Sequence, residues 1–262
     1  MPAAEILYRK EGPIGAVTFD RPRVLNAFRR SMLTRLLETL EAATADPSLR
    51  AIVLTGSGRA FCAGIDLKEL AARAERGVAV ERSTLEAIQQ ITRTIVLREK
   101  IVVAAVNGPA VGFGAELAVA ADIRIAAEEA TFAFPEVQRA LFATGGSTHL
   151  LPRLVGLGRA LDWLVSGRTV SAEEALTAGL VTRLVPRKDL LEVTLEEARR
   201  IAANAPIPVG RVKRLLRGSF DSELERGLRQ EVEHTLACLD TEDFSEGLRS
   251  FFKGRSPKFT GQ

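Results

Sequence analysis

The stretch Ile101–Glu136 constrains the fold more than any other part of the chain. It begins with an apolar run that Asn107–Pro109 brings to an end. The turn Gly112–Gly114 then opens an alanine-rich segment that carries one acid, Glu116, and a second acid, Glu136, closes the stretch. The prolines, glycines and acids argue against a membrane span, and a buried strand followed by a buried helix explains the same run.

Apolar runs and helical patterns alternate over roughly the first half of the chain. Ser31 is a candidate N-cap for a helix that continues to Thr44, and Asp66 with Glu69 three residues later is typical of a capping pair. This alternation predicts an α/β fold with helices packed outside a sheet. Strands are predicted at Gly15–Asp20, Ala51–Thr55, Ile101–Val106, Asp122–Ala126 and Thr131–Phe134.

Helical spacing dominates the chain from Gly145 onward. The segment Asn204–Pro208 contains two prolines and is the best candidate for a domain boundary. It predicts a division into residues 1–204 and residues 205–262. Helices are predicted at Thr148–Leu154, Arg159–Ser166, Ser171–Ala178, Leu190–Ala203, Val209–Arg217, Ser222–Leu239 and Thr241–Phe252, with one strand at Val181–Val185.

Charge, cysteine and histidine content narrow the functional class. The net charge of +3 comes from scattered Arg and Lys, which favours an anionic small ligand over nucleic acid. Cys62 and Cys238 show no framework spacing, and His149 and His234 lie far apart in sequence, so neither a disulfide scaffold nor a metal site is predicted. The charged N-terminus lacks the apolar core of a secretory signal, so a cytoplasmic location is expected.

Two glycine-containing turns follow apolar strands. Gly112–Gly114 does not complete a dinucleotide-binding fingerprint, because Leu117 stands where the third glycine belongs. Gly56–Gly58 together with Ala63-Gly64 forms the second turn. Either the two turns aim backbone N–H groups at one ligand atom, or their small residues merely allow helix and sheet to pack closely.

Glu116 and Glu136 both stand in apolar sequence. An isolated glutamate at a helix start is most often a surface acid that complements the helix dipole, and Pro135 makes this interpretation available for Glu136 as well. Five apolar residues directly after Glu116 favour its burial. The position of both acids beside the same backbone donors favours proton-transfer chemistry.

Four segments carry motifs in a fixed order along the chain: Arg21–Ala27, Ala60–Leu67, Asn107–Leu117 and Phe134–Glu136. Together they resemble the crotonase family, which is the enoyl-CoA hydratase/isomerase superfamily. The resemblance implies a spiral of ββα units in residues 1–204, carrying the active site. It implies a C-terminal helical region, residues 205–262, that serves oligomerisation and closes the CoA pocket in a homotrimer or homohexamer.

The resemblance also implies an enoyl-CoA hydratase, which adds water reversibly to a 2-enoyl-CoA. The N–H groups of Ile65 and Phe113 would bind the thioester oxygen as it becomes an enolate, and Glu116 and Glu136 would act as acid and base. The acyl-CoA thioester is the expected partner, with no metal, further cofactor, nucleic acid or membrane. Residues expected along the acyl-CoA are Ala63, Gly64, Ile65, Asp66, Leu67, Lys68, Gly112 and Phe113, with Lys253, Arg255 and Lys258 as further candidates for its phosphates.

Alternatives within and outside enzymes remain open. A 3-enoyl-CoA isomerase needs one carboxylate, so the presence of two acids favours hydration over isomerisation or another acyl-CoA lyase reaction. An RNA-binding or catalytically silent acyl-CoA-binding member of the family is the non-enzymatic alternative. Three residues depart from the family pattern around the expected acyl pocket: Phe113 replaces a small residue, Ala143 a proline, and Ser147 a glycine.

Overall fold

The computed structural model describes residues 5–76 and 82–262. Residues 1–4 of the N-terminal segment, for which no secretory signal is predicted, lie outside these ranges. Within them the chain forms nine strands and eleven α-helices, and no helix there is both long and apolar enough to span a bilayer. The strands are β1 (Ile6–Glu11), β2 (Ile14–Phe19), β3 (Ala51–Gly56), β4 (Ile101–Val106), β5 (Ala110–Val111), β6 (Ile123–Ala127), β7 (Thr131–Ala133), β8 (Thr169–Ser171) and β9 (Arg183–Val185). The helices are α1 (Arg30–Ala45), α2 (Leu67–Glu75), α3 (Arg82–Leu97), α4 (Phe113–Ala120), α5 (Ser147–Val155), α6 (Leu157–Ser166), α7 (Ala172–Thr177), α8 (Leu190–Ala202), α9 (Pro206–Gly218), α10 (Leu224–Leu239) and α11 (Glu242–Phe252).

A six-stranded sheet in the order β1-β2-β3-β4-β6-β9 forms the centre of the molecule. Only β1 and β2 pair antiparallel, and the remaining neighbours are parallel. The residues of β3 and β4 form continuous apolar runs because helices cover both faces of a parallel sheet. Ile52 lies opposite Val102, so the carboxyl ends of β3 and β4 lie side by side and the turns that follow them are neighbours. The α/β prediction is confirmed.

A second sheet, in the order β5-β7-β8, connects the two acidic segments. β5 pairs parallel with β7, which places Val111 beside Ala133. The Gly112 N–H donates to the Ala133 carbonyl at 2.9 Å. This pairing brings Glu136, three residues after Ala133, next to the turn that begins α4.

The helix caps differ from the predicted ones. Ser31 lies inside α1 and does not cap it, so that prediction is wrong. The Arg30 N–H at the start of α1 instead donates to Glu69 Oε2 at 3.1 Å. Asp66 does cap α2, because its Oδ1 accepts from the N–H groups of Lys68 and Glu69 at 3.1 and 3.3 Å. The Glu69 carboxylate therefore caps a different helix from the one in which it lies.

Helix α9 is joined to the core by an ionic cluster around Asp122. Lys213 Nζ lies 2.7 Å from Asp122 Oδ2, and Arg217 donates to Asp122 Oδ1 at 2.8 Å. Arg217 also donates to the carbonyls of Ala120 and Ala121, at the carboxyl end of α4. Helix α8 ends at Ala202 and α9 begins at Pro206, so the predicted boundary lies in the link between two helices, and the division at residue 204 stays a prediction.

Candidate active site

The turns after β3 and β4 are in direct contact. The Val111 N–H donates to the Cys62 carbonyl at 2.9 Å, and a β-carbon on Gly64 would stand 3.5 Å from Phe113 N. The residues on either side of Ile65 are paired with Phe28, since the Phe28 N–H donates to the Gly64 carbonyl and the Asp66 N–H to the Phe28 carbonyl. In the part of the chain that the structure describes, the N–H groups of Ile65 and Phe113 have no hydrogen-bond partner. Two unpaired backbone N–H groups therefore lie on turns that touch each other.

Phe113 begins α4, and its side chain is only 2% exposed. Its ring meets that of Phe28 edge-on, with 5.4 Å between the centroids, and Phe28 in turn meets Phe19 at 5.0 Å. The large side chain that departs from the family pattern therefore fills the core. Its own N–H stands at the amino end of α4, where the helix dipole is positive.

Glu116 lies in the first turn of α4 and is 3% exposed, as its apolar neighbours indicate. Its Oε1 accepts hydrogen bonds from the Gly145 N–H at 2.8 Å and from the Ser147 hydroxyl at 3.1 Å. Burial raises the pKa of Glu116 to about 7; the negative charge of Glu136 also raises it, whereas the Gly145 and Ser147 donors lower it. Glu116 therefore changes protonation state near neutral pH.

Glu136 follows Pro135 at the start of a 3-10 helix, Pro135–Arg139, so the helix-start position predicted for it is confirmed. Burial raises the pKa of Glu136, opposed by its own backbone N–H and by Arg139. Its Oε2 is buried and has no hydrogen-bond partner among the described residues. A buried carboxyl oxygen without a donor is costly unless it is protonated or meets a ligand.

Gly112 stands between the two acids and the two donors. Its carbonyl accepts from the Glu116 N–H at 2.9 Å, and a β-carbon on it would lie 2.9 Å from Glu136 Oε1 and 4.0 Å from Gly64 Cα. Its φ of +54° also favours glycine. Gly112 therefore contacts the Glu136 carboxyl, the backbone of Glu116 and the turn at Gly64 that precedes Ile65.

The other predicted site residues take different places. Asp66 caps α2 and pairs with Arg21 at 3.0 Å; although burial opposes it, Arg21 and two backbone N–H groups hold the pKa of Asp66 below its usual value. Ala63 is half-buried between the two turns, whereas Leu67 and Lys68 are exposed at the start of α2. Lys68 is thus open to an anionic ligand.

The basic residues after α11 are only partly available. Arg255 is held by Glu246 at 2.6 Å, and the Lys258 N–H donates to the same carboxylate at 2.9 Å. The side chains of Lys253 and Lys258 are exposed. The assignment of any of these residues to CoA phosphates stays a prediction. Among the described residues, no three His, Cys, Asp or Glu side chains are close enough together to hold a metal ion.

Sequence reasoning missed the residues that hold Glu116. The Thr92 hydroxyl on α3 donates to the Gly145 carbonyl at 2.7 Å, while the Gly145 N–H donates to Glu116. Ser147 is noticed in the sequence only as an interruption of a glycine run. The signal for Thr92 is weak, since it is one polar residue on the half-buried side of an amphipathic helix.

Comparison with known proteins places the chain in a family. The sequence profile described as enoyl-CoA hydratase/isomerase matches residues 9–262. The chain is 34% identical to 2,3-dehydroadipyl-CoA hydratase of Escherichia coli K12, covering 99% of this chain and 100% of that protein. It is 33% identical to short-chain-enoyl-CoA hydratase of Clostridium acetobutylicum, covering 95% of each. The crystal structure of an enoyl-CoA hydratase from Bacillus anthracis matches with a TM-score of 0.93 at 34% identity, covering 99% of this chain and 100% of that one. With its crotonase fold, the chain belongs to the enoyl-CoA hydratase/isomerase family of the crotonase superfamily.

Proposed function

We propose that this protein is an enoyl-CoA hydratase that adds water reversibly across the double bond of a 2-enoyl-CoA to give a 3-hydroxyacyl-CoA. The observation that carries the proposal is the presence of two acids with raised pKa, buried Glu116 and half-buried Glu136, near two unpaired backbone N–H groups. Relatives that cover nearly the whole chain bear hydratase names, which supports the same reaction.

The proposed role of Ile65 and Phe113 is to bind the thioester oxygen. When water attacks C3 of the enoyl group, electron density moves onto this oxygen and an enolate forms. Two N–H groups directed at the developing charge stabilise it, and the amino end of α4 adds positive potential. Loss of one such donor typically raises the barrier by about 3–4 kcal/mol.

The two acids divide the proton transfers. In the proposal, Glu116 is the base that takes a proton from water as its oxygen bonds to C3, because two donors on Oε1 stabilise its carboxylate. Glu136 is the acid that gives a proton to C2, because its partnerless Oε2 gains least from being charged. One proton leaves water and one reaches carbon, and exchange of Glu116 and Glu136 with solvent restores the starting state.

The alternative within the family is a 3-enoyl-CoA isomerase, which moves one proton between carbons and needs a single carboxylate. The second acid, Glu136, has no structural partner for its buried oxygen, which favours hydration. A homotrimeric or homohexameric assembly, a cytoplasmic location and the lack of any cofactor beyond the CoA of the substrate remain predictions.

Crotonyl-CoA provides the test. The purified protein should hydrate it, seen as loss of the absorbance of the conjugated thioester, and Glu116→Gln and Glu136→Gln should each slow turnover by at least about 100-fold. Glu129→Gln, an exposed glutamate on the turn between β6 and β7, serves as the matched control and should keep full activity. Near-normal turnover in either acid variant would contradict the two-acid mechanism. A shifted double bond without a 3-hydroxy product would favour the isomerase.

A silent binder and an RNA-binding protein are separated by binding measurements. A silent binder would hold crotonyl-CoA without converting it. An RNA-binding protein would show RNA affinity that falls steeply as salt concentration rises.

A further inference from the structure

Ser147 is a buried polar residue that the proposed reaction does not yet use. It is fully buried at the first position of α5, and its hydroxyl donates to Glu116 Oε1 at 3.1 Å. A buried hydroxyl that donates to a carboxylate stabilises its charged form and so affects when that carboxyl takes up a proton. We infer that Ser147 is a positioning residue that selects which oxygen of Glu116 exchanges protons; this inference rests on the proposed function.

The hydrogen bonds to Glu116 separate its two oxygens. Oε1 accepts from both the Gly145 N–H and the Ser147 hydroxyl, which occupies its two lone pairs. Oε2 faces Gly145 so closely that a β-carbon there would stand 2.8 Å away. Proton exchange with substrate water is therefore left to Oε2, which neither of these two donors occupies.

The loop that carries these donors is itself fixed from α3. The Thr92 hydroxyl donates to the Gly145 carbonyl at 2.7 Å, so Gly145, whose N–H reaches Glu116, is held through both its N–H and its carbonyl. Ser147 follows two residues later as the first residue of α5. Its hydroxyl therefore has a fixed direction toward Oε1.

The surroundings of Glu116 disfavour its charged form, so the Ser147 hydroxyl affects its protonation. Of the titratable groups on the elements packed against it in the described part of the chain, Glu136 is the one whose charge acts on Glu116. Burial and Glu136 both disfavour the Glu116 carboxylate, whereas the Gly145 N–H, the Ser147 hydroxyl and the Ser147 N–H stabilise it, and both N–H groups remain when the hydroxyl is removed. Removing the Ser147 hydroxyl leaves burial and repulsion in place, so Glu116 should take up its proton at higher pH.

The experiment compares Ser147→Ala with Ser147→Thr, which keeps a hydroxyl, and with Thr148→Ala, which removes an exposed hydroxyl one residue away. Carboxyl carbon-13 NMR, with the Glu116 signal assigned by its absence in Glu116→Gln, follows the titration of Glu116 directly. We expect Ser147→Ala to move this titration up by about one pH unit, the size of one hydrogen bond to a charged acceptor. Thr148→Ala should leave the titration unchanged, and Ser147→Thr should restore it.

Turnover of crotonyl-CoA is the second measurement. In Ser147→Ala the acidic limb of kcat/KM should move up with the titration, and kcat at pH 7 should fall about fivefold while KM changes little. If Ser147→Ala does not fold, Ser147→Gly takes its place. An unmoved Glu116 titration, or equal shifts in Ser147→Ala and Thr148→Ala, would overturn the inference. The NMR titration needs no turnover, so an inactive wild-type protein would refute the proposed function while the role of Ser147 is still decided.

Discussion

Glu116→Gln should make the protein more stable at alkaline pH while it slows hydration by at least about 100-fold. The folded-state pKa of Glu116 is about 7 against an ordinary value of 4.5, because burial disfavours the charged form. The folded protein therefore binds this proton more tightly than the unfolded chain does. The contribution of Glu116 to wild-type stability should fall as pH rises from about 4.5 to about 7 and change no further above that. A shift of this size corresponds to about 3 kcal/mol, and a glutamine carries no such penalty.

The measurement is the free energy of unfolding in urea at pH 5 and at pH 8.5 for both proteins. Glutamine keeps an oxygen that can accept from Gly145 and Ser147, so packing and hydrogen bonds are nearly preserved. We expect the stability advantage of Glu116→Gln to be larger at pH 8.5 than at pH 5 by about 2–3 kcal/mol. The difference is larger at pH 8.5 because a carboxyl with a raised pKa destabilises the folded state only at a pH where the carboxyl is charged.

Glu129→Gln is the control, since Glu129 is exposed and its substitution should change stability equally at both pH values. A stability difference between wild type and Glu116→Gln that does not vary with pH would refute the reasoning. It would mean that Glu116 is charged or neutral to the same extent in the folded and unfolded chains.

Three other perturbations test separate parts of the structure. The kcat/KM of wild type for crotonyl-CoA should decline below an apparent pKa near 7, a value that belongs to the pair Glu116 and Glu136, and a profile flat down to pH 5 would contradict Glu116 as the base. Gly112→Ala places a β-carbon 2.9 Å from Glu136 Oε1, and since a displacement of about 1 Å can cost about 100-fold in rate, kcat should fall by about that factor with circular dichroism unchanged. Lys213→Met leaves Asp122 with Arg217 alone in a largely buried site and should lower the free energy of unfolding by about 3 kcal/mol, whereas an unchanged urea midpoint would show that the pair is neutral to folding.

The parts of the fold predicted from the sequence are those whose burial leaves a clear pattern. β3 and β4 are recognisable because both faces of a parallel strand need apolar residues. β1 is missed because four of its six residues are exposed at a sheet edge and read as polar sequence. β5 is missed because it has only two residues, whose pairing depends on β7, a strand twenty residues away in sequence.

Some features of the candidate site are likewise predictable from the sequence, and others are not. The burial of Glu116 follows from its neighbours, whereas the contact between the two glycine turns is visible only in the structure and fits both interpretations of these turns. The donors to Glu116 are not predictable, because Gly145 and Ser147 reach it across about thirty residues and Thr92 acts through a carbonyl. The spacing of apolar residues along the sequence predicts which face of a helix or strand is buried. It does not predict which residue, distant in sequence, forms a hydrogen bond with a buried side chain.

The cluster at Asp122 has a consequence for how the molecule unfolds. Its carboxylate receives both of its cationic partners, Lys213 and Arg217, from α9, and Arg217 also holds the last carbonyls of the helix that Phe113 begins. A chain ending at residue 204 would lose these groups together and leave Asp122 largely buried without a countercharge. We expect α4 and α9 to open as one cooperative unit, with amide protons in both exchanging with solvent at the same free-energy cost. On this expectation α9, although it follows residue 204, belongs to the same folding unit as α4.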